Sequence, residues 1–136
     1  MDKKALILVV DDNSECRALL VWALELHNFR TISATCGLEA VELAIELQPR
    51  LVLTDLSMPD INGYEATQAI HAHPRGKNIP VVAVSGDYVD SRYESTNFNG
   101  DFIAYLGKPW EEEALLQIVR TVLAGGVKPY ECFQHA

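Results

Sequence analysis

Four apolar runs in this chain stop abruptly at side chains able to do chemistry. Ala5–Val10 ends at Asp11-Asp12, Leu51–Thr54 at Asp55, Val81–Val84 at Ser85, and Phe102–Leu106 at Gly107-Lys108-Pro109. A carboxylate at the end of a buried strand is costly unless a cation or hydrogen-bond donors compensate it. Three carboxylates brought together raise one another's pKa unless positive charge neutralises them. Oxygen ligands with room for several waters suit Mg²⁺, and the Lys108 ammonium offers a second, mobile charge. The chemistry therefore turns on whether the fold gathers these groups.

The runs are short and rich in Val, Ile and Leu, as expected of strands covered on both faces. Arg30–Thr35 is a further strand, poorer in large apolar groups and so expected nearer a sheet edge. Helical patterns lie between the runs. Asp11-Asp12-Asn13-Ser14 offers N-cap side chains, with Asp12 able to cap while binding metal. The helix it opens reaches about His27, buries Leu20, Ala23 and Leu24, and stops at a left-handed Asn28. Gly37-Leu38 opens a second helix with Ala40, Val41, Ala44 and Ile45 inward, ended by Gln48-Pro49. After the Asp60-Ile61-Asn62-Gly63 turn, a third runs from Tyr64 to His71. Tyr88–Asn99 has low helix propensity and no clean apolar stripe, predicting a short or distorted helix. The last helix starts at Trp110 with Glu111, Glu112 and Glu113 in its first turn. It buries Leu115, Ile118, Val119 and Val122 and ends at Gly125-Gly126, before a tail over Val127–Ala136.

Strands alternating with helices predict a flavodoxin-like α/β domain, a doubly wound five-stranded parallel sheet of order 2-1-3-4-5. Right-handed crossovers place every strand's carboxyl end on one edge, where ligands bind. In that order Asp11, Asp12, Asp55, Ser85 and Lys108 fall into one shallow pocket.

The totals agree with one domain. At 136 residues and 49% hydrophobic, the chain can bury a single good core. A net charge of −8 argues against nucleic acid or an anionic membrane as a partner, because no basic surface is available to neutralise phosphates. Cys16, Cys36 and Cys132 form an odd set without a CxxC pair, which predicts reduced, mostly buried thiols and a cytoplasmic location. His71 and His73 are expected in solvent, and Trp22 and Trp110 in packing, with Trp110 partly exposed.

Asp11-Asp12, Asp55 within LVLTDLSMPDINGYE, Ser85 after IPVVAV and Lys108-Pro109 after YLG together resemble the receiver domain of two-component response regulators. The resemblance spans residues 5 to 124, giving a receiver domain over 1–124 and a tail over 125–136 with no output domain. It implies that Asp55 accepts a phosphoryl group from a histidine kinase or histidine phosphotransfer protein. It implies Mg²⁺ held by Asp12, Asp55 and the Ser57 backbone carbonyl, with Asp11 acting through a water. Ser85 and Lys108 would contact the phosphoryl group, across a cis Lys108–Pro109 bond. Ser85 and Tyr105 would form the switch, and Asp87 would flank the site alongside Pro109. Ser57 and Asp87 would tune dephosphorylation. Switching would alter the face made by the Tyr88–Asn99 segment, the fifth strand and the last helix. That face would meet a downstream protein, or a second copy in a homodimer.

Two departures stand out. Gly86 replaces the family's usual Ala, and Asn99–Ala104 differs from the usual pattern before the fifth strand. The expected protein is a single-domain regulator or relay, a phosphoacceptor rather than a conventional enzyme. One alternative is a receiver module from a larger hybrid kinase or multidomain regulator. Another is a small Mg²⁺-dependent aspartyl-phosphate phosphohydrolase, disfavoured because Ser57 stands where those enzymes carry a second aspartate.

Overall fold

The computed structural model describes residues 4–86 and 102–125. β1 (Leu6–Val10) pairs in parallel with β2 (Arg30–Ala34) and β3 (Leu51–Thr54). β4 (Val81–Ser85) and β5 (Ala104–Gly107) complete one parallel sheet of order β2-β1-β3-β4-β5. This is the expected order, with the apolar-poor β2 at an edge. The helices among the described residues are α1 (Ser14–Leu26), α2 (Gly37–Leu47), α3 (Gly63–Ala72) and α4 (Glu112–Leu123). The expected Tyr88–Asn99 helix, Asp87 and the tail from 126 lie outside the described residues.

Strand side chains alternate faces, so the sheet separates two cores. Ile7, Val9, Leu51, Leu53, Val82, Val84 and Leu106 pack with Leu20 and Leu24 of α1 and Leu115, Ile118 and Val119 of α4. Leu8, Val10, Val52, Val81, Ala83 and Tyr105 pack with Ala40 and Ala44 of α2 and Ile70 of α3. Each fully buried large aliphatic contributes about 1.5–3 kcal/mol, so the two layers hold the sheet edge that carries the polar groups.

The helix ends are set locally. Asn13, rather than Asp12, caps α1, its side chain accepting from the Cys16 amide at 2.9 Å. An Asn has an oxygen acceptor at the right reach, which leaves Asp12 out of the cap. Asn62 and Glu65 form a reciprocal capping box on α3. Asn28 (φ 72) and Gln48 (φ 49) adopt left-handed backbone at the ends of α1 and α2. The last helix begins at Glu112, because the chain is still extended at Glu111.

Three expectations need correction. Trp22 is 61% exposed, because it projects from the outer side of α1. His71 is not simply solvated: its ring N–H donates to the Ile79 carbonyl at 2.8 Å, a partner brought by the chain turning back after α3. Cys16 and Cys36 are partly exposed, since each sits at a helix start beside the sheet edge.

Gly63 bears directly on the site. A methyl group there would collide with the Asp55 carbonyl oxygen and approach the Leu56 Cα to 2.9 Å. Both obstacles are backbone, so neither can swing aside. Gly63→Ala is expected to cost roughly 1–3 kcal/mol of stability by urea unfolding.

Candidate functional site

Three ladder hydrogen bonds set the site's frame. The Asp11 amide donates to the Ala34 carbonyl at 3.2 Å, the Asp55 amide to Val10 at 3.0 Å, and the Lys108 amide to Ser85 at 2.9 Å. Each functional residue thus stands one step beyond its strand, where the sheet edge opens.

The Lys108 ammonium joins the strands. Its Nζ donates to Asp11 Oδ2 at 2.8 Å and to Asp55 Oδ2 at 3.1 Å. The Asp11 side chain is only 1% exposed, so its charge requires such a partner. Asp11 Oδ1 accepts the Asn13 amide at 2.9 Å, and the Arg17 guanidinium holds the Asp11 carbonyl at 2.8 Å. Asp55 Oδ1 accepts the Leu56 amide at 2.6 Å and the Ser57 amide at 3.3 Å. Burial pulls the Lys108 pKa down, but the Asp11 hydrogen bond and the charge of Asp55 outweigh it and hold the group above its ordinary 10.5. The ammonium is therefore fully charged at neutral pH.

Asp12 is exposed at the mouth. One oxygen each from Asp11, Asp12 and Asp55 lies within 4.8 Å of the others, a hard-oxygen donor set that could hold a divalent cation. Ser85 is 2% exposed at the end of β4, and its neighbour across the ladder is Gly107, just before Lys108. Tyr105, two residues earlier on β5, is buried to the same 2%. It lies beneath α2 and α3's core layer, which covers that side of the strand. The Lys108–Pro109 bond is cis. A methyl group on Gly86 would meet Lys108 Cβ at 3.5 Å, so the missing methyl opens space beside Lys108.

The family model for response regulator receiver domains matches residues 7–120. The chain belongs to that family. This receiver is 35% identical over 123 residues to the protein PilH of Pseudomonas aeruginosa, covering 89% of this chain and 99% of PilH. It is 29% identical over 117 residues to the polar-differentiation response regulator DivK of Brucella ovis, covering 86% and 94% of the two chains. Among solved structures, a response regulator from Chloroflexus aurantiacus superposes with a TM-score of 0.82 at 26% identity, covering 90% of this chain and 99% of that one. The receiver domain of a Pseudomonas aeruginosa sensor histidine kinase shares the fold at a TM-score of 0.81 and 24% identity, over 89% and 98% of the chains. That structure holds a magnesium ion in its active-site cleft. The family is one of signalling phosphoacceptors.

The structure brings together Asp11, Asp12, Asp55 and Lys108, and sets Ser85 at the end of the strand next to β3. One anchor of the receiver site was not anticipated. Asp60, in the loop after Asp55, accepts the Gly37 amide at 2.9 Å and the Leu38 amide at 2.8 Å, capping α2 from a distance. Cys36 at the α2 N-cap makes no side-chain cap bond of its own. That missing cap was the available signal, but it could not say which acceptor would come. The Leu38 amide, then those of Gly37 and Ile61 and the Cys36 thiol, hold the Asp60 carboxyl well below its ordinary 3.8, against the opposing effect of desolvation.

A depressed carboxyl stabilises the fold above its unfolded pKa and loses that contribution as pH falls. Asp60→Asn is therefore expected to lower Tm by a few degrees at pH 7. The gap should narrow once pH drops below 3.8, followed by circular dichroism melts. A raised lysine behaves in the opposite sense, contributing fully below 10.5 and losing its contribution above it. Lys108→Met leaves Asp11 and Asp55 facing each other without the ammonium. It is expected to cost about 1–3 kcal/mol in EDTA at pH 7, with Mg²⁺ restoring more stability to the variant than to the wild type in urea titrations.

Proposed function

We propose that Asp55 is the phosphoacceptor of this receiver. The observation that carries this reading is the grouping of Asp11, Asp12 and Asp55 around the Lys108 ammonium at one sheet edge. The donor would be a histidine kinase or histidine phosphotransfer protein. An Asp55 oxygen attacks phosphorus, the new O–P bond forms as the donor's bond to phosphorus breaks, and the donor leaves with that electron pair. Oδ1 is tied to two backbone amides, so Oδ2 is the oxygen available for attack as Lys108 swings off it. Lys108 then follows the charge to a phosphoryl oxygen, and Ser85 donates to another.

Mg²⁺ fits the donor set, and the residues to hold it are Asp12, Asp55 and the Ser57 carbonyl, with Asp11 through a water. When bound, the ion neutralises charge on the phosphoryl group in flight. Ser85 and Tyr105 are proposed as the switch, and Asp87 and Ser57 as groups that tune dephosphorylation. Both switch residues are buried here, the arrangement that a phosphoryl group on Asp55 would favour. The changed surface, on the β5 and α4 side, would engage a downstream protein or a second copy.

The near-complete coverage of PilH supports a receiver over 1–124 acting as a single-domain regulator or relay. No described helix is long and apolar enough to cross a membrane, and a cytoplasmic site of action follows from the proposed donors. On incubation with acetyl phosphate and Mg²⁺, intact mass is expected to show one added phosphoryl group. EDTA or Asp55→Asn should abolish it. An adduct that survives Asp55→Asn would overturn the assignment.

A further inference from the structure

Asp12 is the exposed carboxylate of the three that form the donor set, and it makes no hydrogen bond among the described residues. Its direction is therefore set by the backbone on either side of it. A peptide unit is planar, so a bond to one of its polar atoms restrains the whole plane. The unit before Asp12 is held through the Asp11 carbonyl, which accepts from the Arg17 guanidinium at 2.8 Å. The unit after it is held through the Asn13 amide, which donates to Asp11 Oδ1 at 2.9 Å. Asp11 is itself fixed by its own amide on the Ala34 carbonyl and by the Lys108 ammonium.

Arg17 is well placed to hold this segment. It stands early in α1, and its backbone amide donates to the Asn13 carbonyl at 3.0 Å. Backbone and side chain of one residue thus clasp the chain on both sides of Asp12. Charge by itself gives Arg17 no purpose here. Lys108 already compensates Asp11 and Asp55, and a further cation beside the donor set repels Mg²⁺.

We propose that Arg17 is a positioning residue for the metal site, holding the Asp11 carbonyl so that the Asp12 carboxylate stays beside those of Asp11 and Asp55. The proposal rests on the reading of Asp12 as a Mg²⁺ ligand. Removing a partner that orients a metal's ligands typically weakens metal binding by about 10–100-fold.

Positioning and charge predict opposite signs. Arg17→Met removes both the hydrogen bond and the charge. It is expected to weaken Mg²⁺ binding about tenfold, with Kd taken from amide NMR shifts as MgCl₂ is added to the full chain. The same spectra show that the variant is folded. Arg17→Gln, whose shorter stem ends before the Asp11 carbonyl, should give the same result with a polar side chain. A residue acting through charge alone would bind Mg²⁺ more tightly once neutralised. One with a merely structural role would lose stability in EDTA while the Kd of the folded protein stayed unmoved. Either result would overturn the proposal. Asp12→Asn tests the reading beneath it, and should weaken Mg²⁺ binding by about tenfold or more. If it binds Mg²⁺ as the wild type does, Asp12 is not a ligand, and the metal assignment and the proposal fall together. If it weakens binding while Arg17→Met does not, the metal assignment stands and the proposal alone falls.

Discussion

One ammonium between two carboxylates sets the character of this molecule. Lys108 lies 2.8 Å from Asp11 and 3.1 Å from Asp55, each just past the end of a different strand. At an effective dielectric near 20 each contact is a gross attraction of about 5 kcal/mol. Desolvating the three charges costs several kcal/mol per ion, so the net gain is small. The arrangement is better understood as poise than as strength. Asp11, buried and compensated, cannot move without exposing an unpaired charge, whereas Lys108 has a flexible stem and can follow negative charge to a new position. The phosphoryl group proposed for Asp55 would be that kind of charge.

Poise requires a rigid frame, and the loop after Asp55 is anchored along its length. The Gly63 amide donates to Leu56 at 2.9 Å, Asn62 caps α3, and Asp60 caps α2. Gly37 lies against Ile61 so closely that a side chain there would strike it. Two helices on the same face of the sheet are thus tied to the loop that offers Ser57 beside Asp55. A group held this way meets a reacting partner with little reorganisation, which is where electrostatic sites gain most.

Much of this was legible in the sequence because the signals are local. A continuous run such as Leu51–Thr54 reads as a buried strand, and the residue where it stops is then at the sheet edge. Asn28 ends α1 through its own tolerance of left-handed backbone. What escaped depended on distant partners. Asp60 looked like a turn residue because its partners, Gly37 and Leu38, are more than twenty positions away. His71 looked solvated because the Ile79 carbonyl reaches it only after the chain turns back. Trp22 looked like core because its size suggests burial, while the face it occupies on α1 decides otherwise.

Sequence alone determined the strand runs, the residues at their ends and their family likeness, since hydrophobic patterning and backbone preference act over a few residues. Tertiary structure decided the pairings. It alone could place Lys108 against Asp11 and Asp55, choose Asn13 over Asp12 as the α1 cap, and bring Asp60 to α2. Hydrogen bonds and ion pairs act over about 3 Å, and distance along the chain says little about separation in space.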